Sequence, residues 1–160
     1  AFPAGHAVVA GACTTVMKAM FVTHNASTLT PLPWPGTPKT SDDGTTLVSI
    51  DPAVADTMTI NGELNKLAQN MEFGRLFAQV HYRSDANGIL LGEEYAISYL
   101  VDMLADYGDQ FQADKNPGTP ADQLTPVLQL QKFNGDFVEI TRHGAKKGRN
   151  APAPAPAPAR

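Results

Sequence analysis

A mainly α-helical fold, a helical bundle closed by a small C-terminal β-hairpin, is predicted by three features of this 160-residue sequence. Apolar residues recur at helical spacing in three long segments. Two short alternating runs near the C-terminus flank Asn134-Gly135, a pairing that favours tight hairpin turns. The stretches between are rich in Pro, Gly and Asp, which punctuate a chain instead of extending elements. With 42% apolar and 18% charged residues, the chain can bury one core.

The opening helix is predicted from His6 to Phe21, where Val8, Ala12, Val16, Ala19 and Met20 recur after an entry turn at Pro3 and Gly5. Cys13 in this run reads as a buried, inert thiol, because no activating base stands beside it. The apolar run from Ala7 to Val22 is short and contains Lys18, so it is read as neither a membrane span nor a signal peptide. The sequence begins at Ala1-Phe2-Pro3 without Met, and the expectation is that an upstream portion is missing. From Asn25 to about Thr59 the chain is polar, with Pro31, Pro33, Pro35 and Pro38 around Trp34, a turn at Asp42-Asp43-Gly44 and a short extended piece near Leu47 to Ile50.

The second helix is predicted from Asn61 to Val80, placing Leu64, Leu67, Met71, Leu76, Phe77 and Val80 on its apolar side. His81 to Asp85 interrupts the pattern, with Asp85 as N-cap of a third helix carrying Leu90, Leu91, Ile97, Leu100, Val101 and Leu104. A loop from Gly108 to Pro126 leads to the hairpin, Val127 to Gln131 paired with Phe137 to Thr141. Residues 1–145 are read as the folded domain, and 146–160 as a basic, then Ala-Pro-rich flexible tail, extended at about 3.1 Å per residue.

The net charge of -4 and only twelve Lys and Arg argue against a nucleic-acid surface, where neutralising phosphates requires clustered cations. One cysteine allows no internal disulfide and no thiolate metal cluster. Chemistry is therefore sought in His, Arg and backbone groups at helix ends. Gly5 and His6 start the first helix, where unsatisfied N–H groups and a partial positive charge suit an anion. Arg75 offers a planar fork that matches oxyanions, and His81 at a helix terminus leaves its ring free as a ligand. On an ideal helix Arg75 and His81 stand roughly 9 Å apart in rise and about 120° in rotation, so they converge only if the chain turns inward after Val80.

Three stretches carry a family resemblance: Phe2-Pro3-Ala4-Gly5-His6-Ala7; Gly74-Arg75-Leu76-Phe77-Ala78-Gln79-Val80-His81-Tyr82-Arg83-Ser84-Asp85; and Gly88-Ile89-Leu90-Leu91-Gly92-Glu93. They resemble the second and third signature motifs of vanadium haloperoxidases and the related acid phosphatases. Glu63 to Ala68 and the His81 to Asp85 wording are similar to the bromoperoxidase branch. The likeness covers about residues 1–105 and, more weakly, the hairpin.

The resemblance implies the C-terminal half of the haloperoxidase helical bundle, with vanadate as cofactor and phosphate able to take the same site. It makes His81 the axial vanadium ligand, Arg75 a donor to the equatorial oxygens, Gly5 a backbone donor and His6 the acid–base residue. Arg83 and Asp85 are expected to form a supporting pair behind them. The implied reaction is oxidation of a halide, bromide by the family wording, by hydrogen peroxide to hypohalous acid.

Two departures bear on that expectation. The family usually has Ser where this chain has Ala4, and its first motif, an upstream Lys and Arg, is absent. The chain alone is therefore expected to bind vanadate weakly and turn over little. Two other readings stay open: hydrolysis of phosphate esters, as in the acid phosphatases, and a non-catalytic fragment that works as a subunit. The expected partners are peroxide and halide, with no nucleic acid, no membrane span, an undetermined organic acceptor, and either a homo-oligomer or the missing N-terminal half. A secreted or periplasmic setting is the expectation for its location.

Overall fold

The computed structural model describes residues 2–35, 38–111 and 128–149. Four α-helices and two small antiparallel sheets follow one another: α1 Gly5–Met20, β1 Pro38–Thr40, β2 Leu47–Ser49, α2 Pro52–Ala55, α3 Ile60–Phe77, α4 Gly88–Phe111, β3 Leu128–Gln131, β4 Phe137–Thr141 and β5 Gly144–Lys147. A 3-10 turn, Arg83–Asn87, leads directly into α4. The mainly helical fold predicted from the sequence is the observed one.

The centre is the crossing of α1 and α4. A Cβ built on Gly11 would lie 2.1 Å from the carbonyl oxygen of Ile89, and one on Gly92 would lie 2.0 Å from that of Val8. Each helix thus presses its backbone onto a glycine of the other, which no other residue type permits without displacement. Ala4, Ala7 and Ala96 continue this small-residue contact and are fully or almost fully buried. Val8, Ala12, Val16 and Ala19, the periodic apolar set, are only half-buried, and Met20 is exposed. The buried stripe of α1 is instead Ala7, Ala10, Gly11, Thr14, Thr15 and Lys18. Cys13 is exposed, contrary to the expectation of a buried thiol, because it lies off that stripe.

Towards the C-terminal end of α1 and α4, the second sheet supplies the larger side chains. Ile97, Leu100 and Leu104 pack against Leu130, Val138 and Ile140; burial of each such side chain stabilises by ~1.5–3 kcal/mol. Strand order is β3-β4-β5, with Gln131 opposite Phe137 and Thr141 opposite Gly144. The expected hairpin is therefore the first half of a three-stranded meander. Lys18 joins helix to sheet: buried, it donates to the carbonyl oxygen of Gln131 (3.0 Å) and stands 4.0 Å over the Phe133 ring. Burial pushes its ammonium down to about 8, against the opposing influence of Glu93. From α4, buried Glu93 accepts the N–H of Phe133 at 2.7 Å.

The long connection after α1 contains β1 and β2 in register Lys39 opposite Val48, so the extended piece near Leu47 is one arm of a ribbon. Thr59 then caps α3 by accepting the N–H of Gly62 (3.0 Å). This helix packs on α1 with a polar stripe. Asn61, Ala68 and Glu72 are buried and Asn65 and Arg75 half-buried, whereas Leu67, Met71, Phe77 and Val80 are exposed. The apolar side expected to face the core is thus largely outside in this chain. Leu90 and Leu91 of α4 are exposed for the same reason: they lie off the face that meets α1. The loop read from 108 begins later, since α4 continues to Phe111; its remainder and the Ala-Pro tail fall outside the described residues.

Candidate functional site

The end of α3 is what brings His81 to the start of α1. Gln79 adopts a left-handed conformation (φ 58), its N–H bonding to the oxygen of Leu76 at 2.9 Å, while the N–H of Val80 reaches that of Arg75 at 3.3 Å. These two reversed bonds are the helix-terminating pattern usually built on glycine. The chain folds back over the last turn and carries His81 inward. The inward turn after Val80 that the motif spacing demanded is therefore made by hydrogen bonds at positions 75–80.

His81 is mostly buried, and its ring centroid lies 6.2 Å from that of His6, the planes tilted by 53°. His6 is the second residue of α1, so His81 faces the amino end of that helix. Ala4 caps α1 without any side-chain hydrogen bond, leaving the first-turn N–H groups uncapped by a side chain. In front of Gly5 the space is open: a Cβ there would meet nothing within 4 Å. Arg75, half-buried in the last turn of α3, has its Nε buried without a hydrogen-bond partner among the described residues.

Asp85 supports His81 from behind. It is buried; its Oδ2 accepts the N–H of Tyr82 at 3.0 Å and lies 3.4 Å from His81 Nδ1. The latter contact is close enough for an ion pair but lacks hydrogen-bond alignment, since among the described residues both His81 nitrogens are without a hydrogen-bond partner. Asp85 is thus the third residue of the 3-10 turn, not the N-cap of α4. Arg83 is exposed, and among the described residues no ion pair joins it to Asp85. The expected Arg83–Asp85 pair is replaced by Asp85 with His81, because the tight turn aims Asp85 back at position 81.

The arrangement offers an imidazole with a free edge, a second imidazole across a gap, a guanidinium and uncapped helix N–H groups. Among the described residues, no three His, Cys, Asp or Glu stand close enough to chelate a bare metal ion. Donors of this kind hold an oxyanion. A cavity of about 610 Å³ lies at the opposite end of α1, lined among others by Phe21, His24, Phe137 and Arg149. It is roughly 24 Å away by the length of a 16-residue helix and shares none of these residues.

No family model matches the sequence. Over 140 residues the chain is 40% identical to the vanadium-dependent bromoperoxidase of Corallina officinalis, spanning 87% of this chain. It is homologous to the vanadium-dependent bromoperoxidases. The bromoperoxidase of Ascophyllum nodosum is 35% identical over 145 residues, or 89% of this chain. The chain spans 19% and 22% of the lengths of these two relatives. A solved structure, the second vanadate-dependent bromoperoxidase of Ascophyllum nodosum, superposes with a TM-score of 0.67 at 26% identity, covering 92% of this chain and 26% of that one; that bromoperoxidase is homohexameric. No helix among the described residues is long and apolar enough to cross a membrane.

Sequence reasoning missed Glu72, Lys18 and the glycines of the crossing. The glycines were visible as Gly88, Gly92 and Ala96 spaced by four, a small-residue repeat on one helix face. Glu72 gave no signal, because a carboxylate on a helix is ordinarily solvated.

Proposed function

We propose that this chain forms the histidine-bearing part of a vanadate site that oxidises halide, bromide in the first place, with hydrogen peroxide to hypohalous acid. The observation that carries the reading is the approach of His81 to His6 at the amino end of α1. The residues fit the cofactor: His81 has unpartnered ring nitrogens, Arg75 an unpartnered buried Nε, and the first turn of α1 lacks a side-chain cap.

His81 would bind vanadium through Nε2, with Asp85 beside Nδ1 fixing the ring and raising its basicity. Arg75 and the N–H groups of Gly5 and His6 would hold the oxygens, offsetting negative charge where water is partly excluded. Vanadate, when bound, supplies a Lewis acid that polarises peroxide without changing oxidation state. His6, exposed and across the gap from His81, would be the acid–base group of the site, its ring accepting and returning a proton. Arg83 points outward and has no part in holding the anion in this reading. The exposed apolar residues of α3 and α4, Leu67, Met71, Tyr95 and Tyr99 among them, support further polypeptide covering this chain in its working assembly.

Orthovanadate titrated into the chain should broaden and shift the vanadium-51 resonance in the wild type and leave it unchanged with His81→Ala. Bromination of a phenolic dye, compared with hydrolysis of a phosphate ester by the same preparation, separates the peroxidase from the phosphatase reading. Ester hydrolysis without bromination would overturn the proposal.

A further inference from the structure

Two charged side chains of α3, buried Glu72 and half-buried Arg75, carry buried atoms that lack a hydrogen-bond partner among the described residues. Glu72 is 1% exposed, and among the described residues neither carboxylate oxygen has a hydrogen-bond partner. The Nε of Arg75 is also buried without one. Other buried carboxylates are satisfied: Asp85 by the N–H of Tyr82, and Glu93 by the N–H of Phe133. The cations that could otherwise serve Glu72 are engaged elsewhere, Lys66 with Glu63 and Lys18 with Gln131. Glu72 and Arg75 are three residues apart on one helix and so are neighbours on its surface. At that spacing their Cβ atoms are ~5–6 Å apart, so a change of side-chain torsions suffices to join them.

We infer that Glu72 is the positioning residue of the site: its carboxylate takes the Nε–H of Arg75 and so fixes the two terminal nitrogens of the guanidinium towards the oxyanion. An arginine fork has two working edges, and an oxyanion occupies only one. The Nε of Arg75 is buried here, where an unmet donor is costly, and Glu72, three residues back on the same helix, has two unmet acceptors. Joining them satisfies both groups and removes the freedom of a long side chain that the anion would otherwise have to order. The inference rests on the reading of the site as an oxyanion cradle.

The test compares orthovanadate affinity in wild type, Glu72→Gln, Glu72→Leu, Arg75→Met and the Glu72→Leu/Arg75→Met double variant, alongside thermal unfolding of each. Glu72→Gln keeps an acceptor and should bind within about threefold of wild type. Glu72→Leu should lose roughly 10–100-fold, the usual effect of removing a supporting group, without a lowered unfolding midpoint. In the Arg75→Met background it should cost nothing more. Unchanged affinity in Glu72→Leu, or a loss that adds in full to that of Arg75→Met, overturns the inference. If wild type takes up no orthovanadate, the cradle reading itself fails, and the Glu72–Arg75 link is then decided by the Arg75 Nε–H resonance of the anion-free chain. Slow solvent exchange kept in Glu72→Gln and lost in Glu72→Leu supports the link; identical exchange in all three refutes it.

Discussion

Substituting Gly92 by alanine tests whether the α1–α4 crossing holds the site. The added methyl would sit 2.0 Å from the carbonyl oxygen of Val8 and 2.8 Å from the N of Ala12. Both are backbone atoms of α1, so no side chain can step aside. Relieving the clash to an ordinary contact of ~3.4 Å requires the helices to separate by more than about 1 Å, the regime in which overpacking costs ~1–3 kcal/mol. For a chain of this size that corresponds to a fall of roughly 2–12 °C in unfolding temperature, at ~2–4 °C per kcal/mol. The same movement shifts His6, which α1 carries, relative to the rest of the proposed site, and displacements of ~1 Å at a reacting group commonly cost about 100-fold in rate. Gly74→Ala is the control: nothing lies within 4 Å of its Cβ position, and removing a helix-interior glycine should stabilise by ~0.5–1 kcal/mol. Circular dichroism melts of the two variants and wild type are the assay. Gly92→Ala melting at or above wild type would refute the reasoning about the crossing.

Replacing Gln79 by glycine should raise stability by ~1 kcal/mol in urea denaturation, since its φ of 58 is strained for a residue with a side chain. Lys18 sets a pH dependence: burial holds its folded pKa at about 8, below the ordinary 10.5 of a lysine, so the penalty is fully present below pH 8. Between about 8 and 10.5 the unfolded chain holds a proton that the folded one has released, and stability should rise by ~2 kcal/mol from pH 7.5 to 10, an increment absent in Lys18→Met when urea midpoints at those two pH values are compared. Ala4→Ser restores a hydroxyl at the start of α1 and should tighten orthovanadate binding by about tenfold, as one hydrogen bond to a charged group is worth ~1.5 kcal/mol. Asp85→Ala leaves the Tyr82 N–H without its acceptor and frees the His81 ring, so a loss of ~1–3 kcal/mol in stability should accompany weaker orthovanadate binding, read by vanadium-51 resonance.

The long elements were legible in the sequence because each has its own period: α1, α3 and α4 begin and end within a few residues of the expected positions, and the Asn134-Gly135 turn set the pairing of β3 with β4. Which face each helix buries was not. The usual rule assigns the apolar side of a helix to the core, but α1 meets α4 through glycine and alanine, and the residues α3 buries are Asn61, Ala68 and Glu72. Backbone-to-backbone contact selects for small residues, and a polar site selects for polar ones, so neither seam carries the hydrophobic signal that periodicity detects. His6, Arg75 and His81 were legible as a motif; the left-handed Gln79 that turns His81 inward was not, because the position ordinarily favours glycine. Strand β5 was missed since Gly144 to Lys147 has neither alternation nor β-branched residues.

Helix α1 is fastened at two points, by Gly11 against Ile89 and by Lys18 against Gln131, separated by seven residues or about 10 Å of rise. A single residue inserted between them would advance the rod by ~1.5 Å and rotate everything beyond by about 100°, so one fastening would have to be surrendered. The spacing between 11 and 18 is therefore a length gauge for the molecule. Insertions should be accepted in the ribbon between 41 and 46 and rejected here, although these residues touch no proposed ligand.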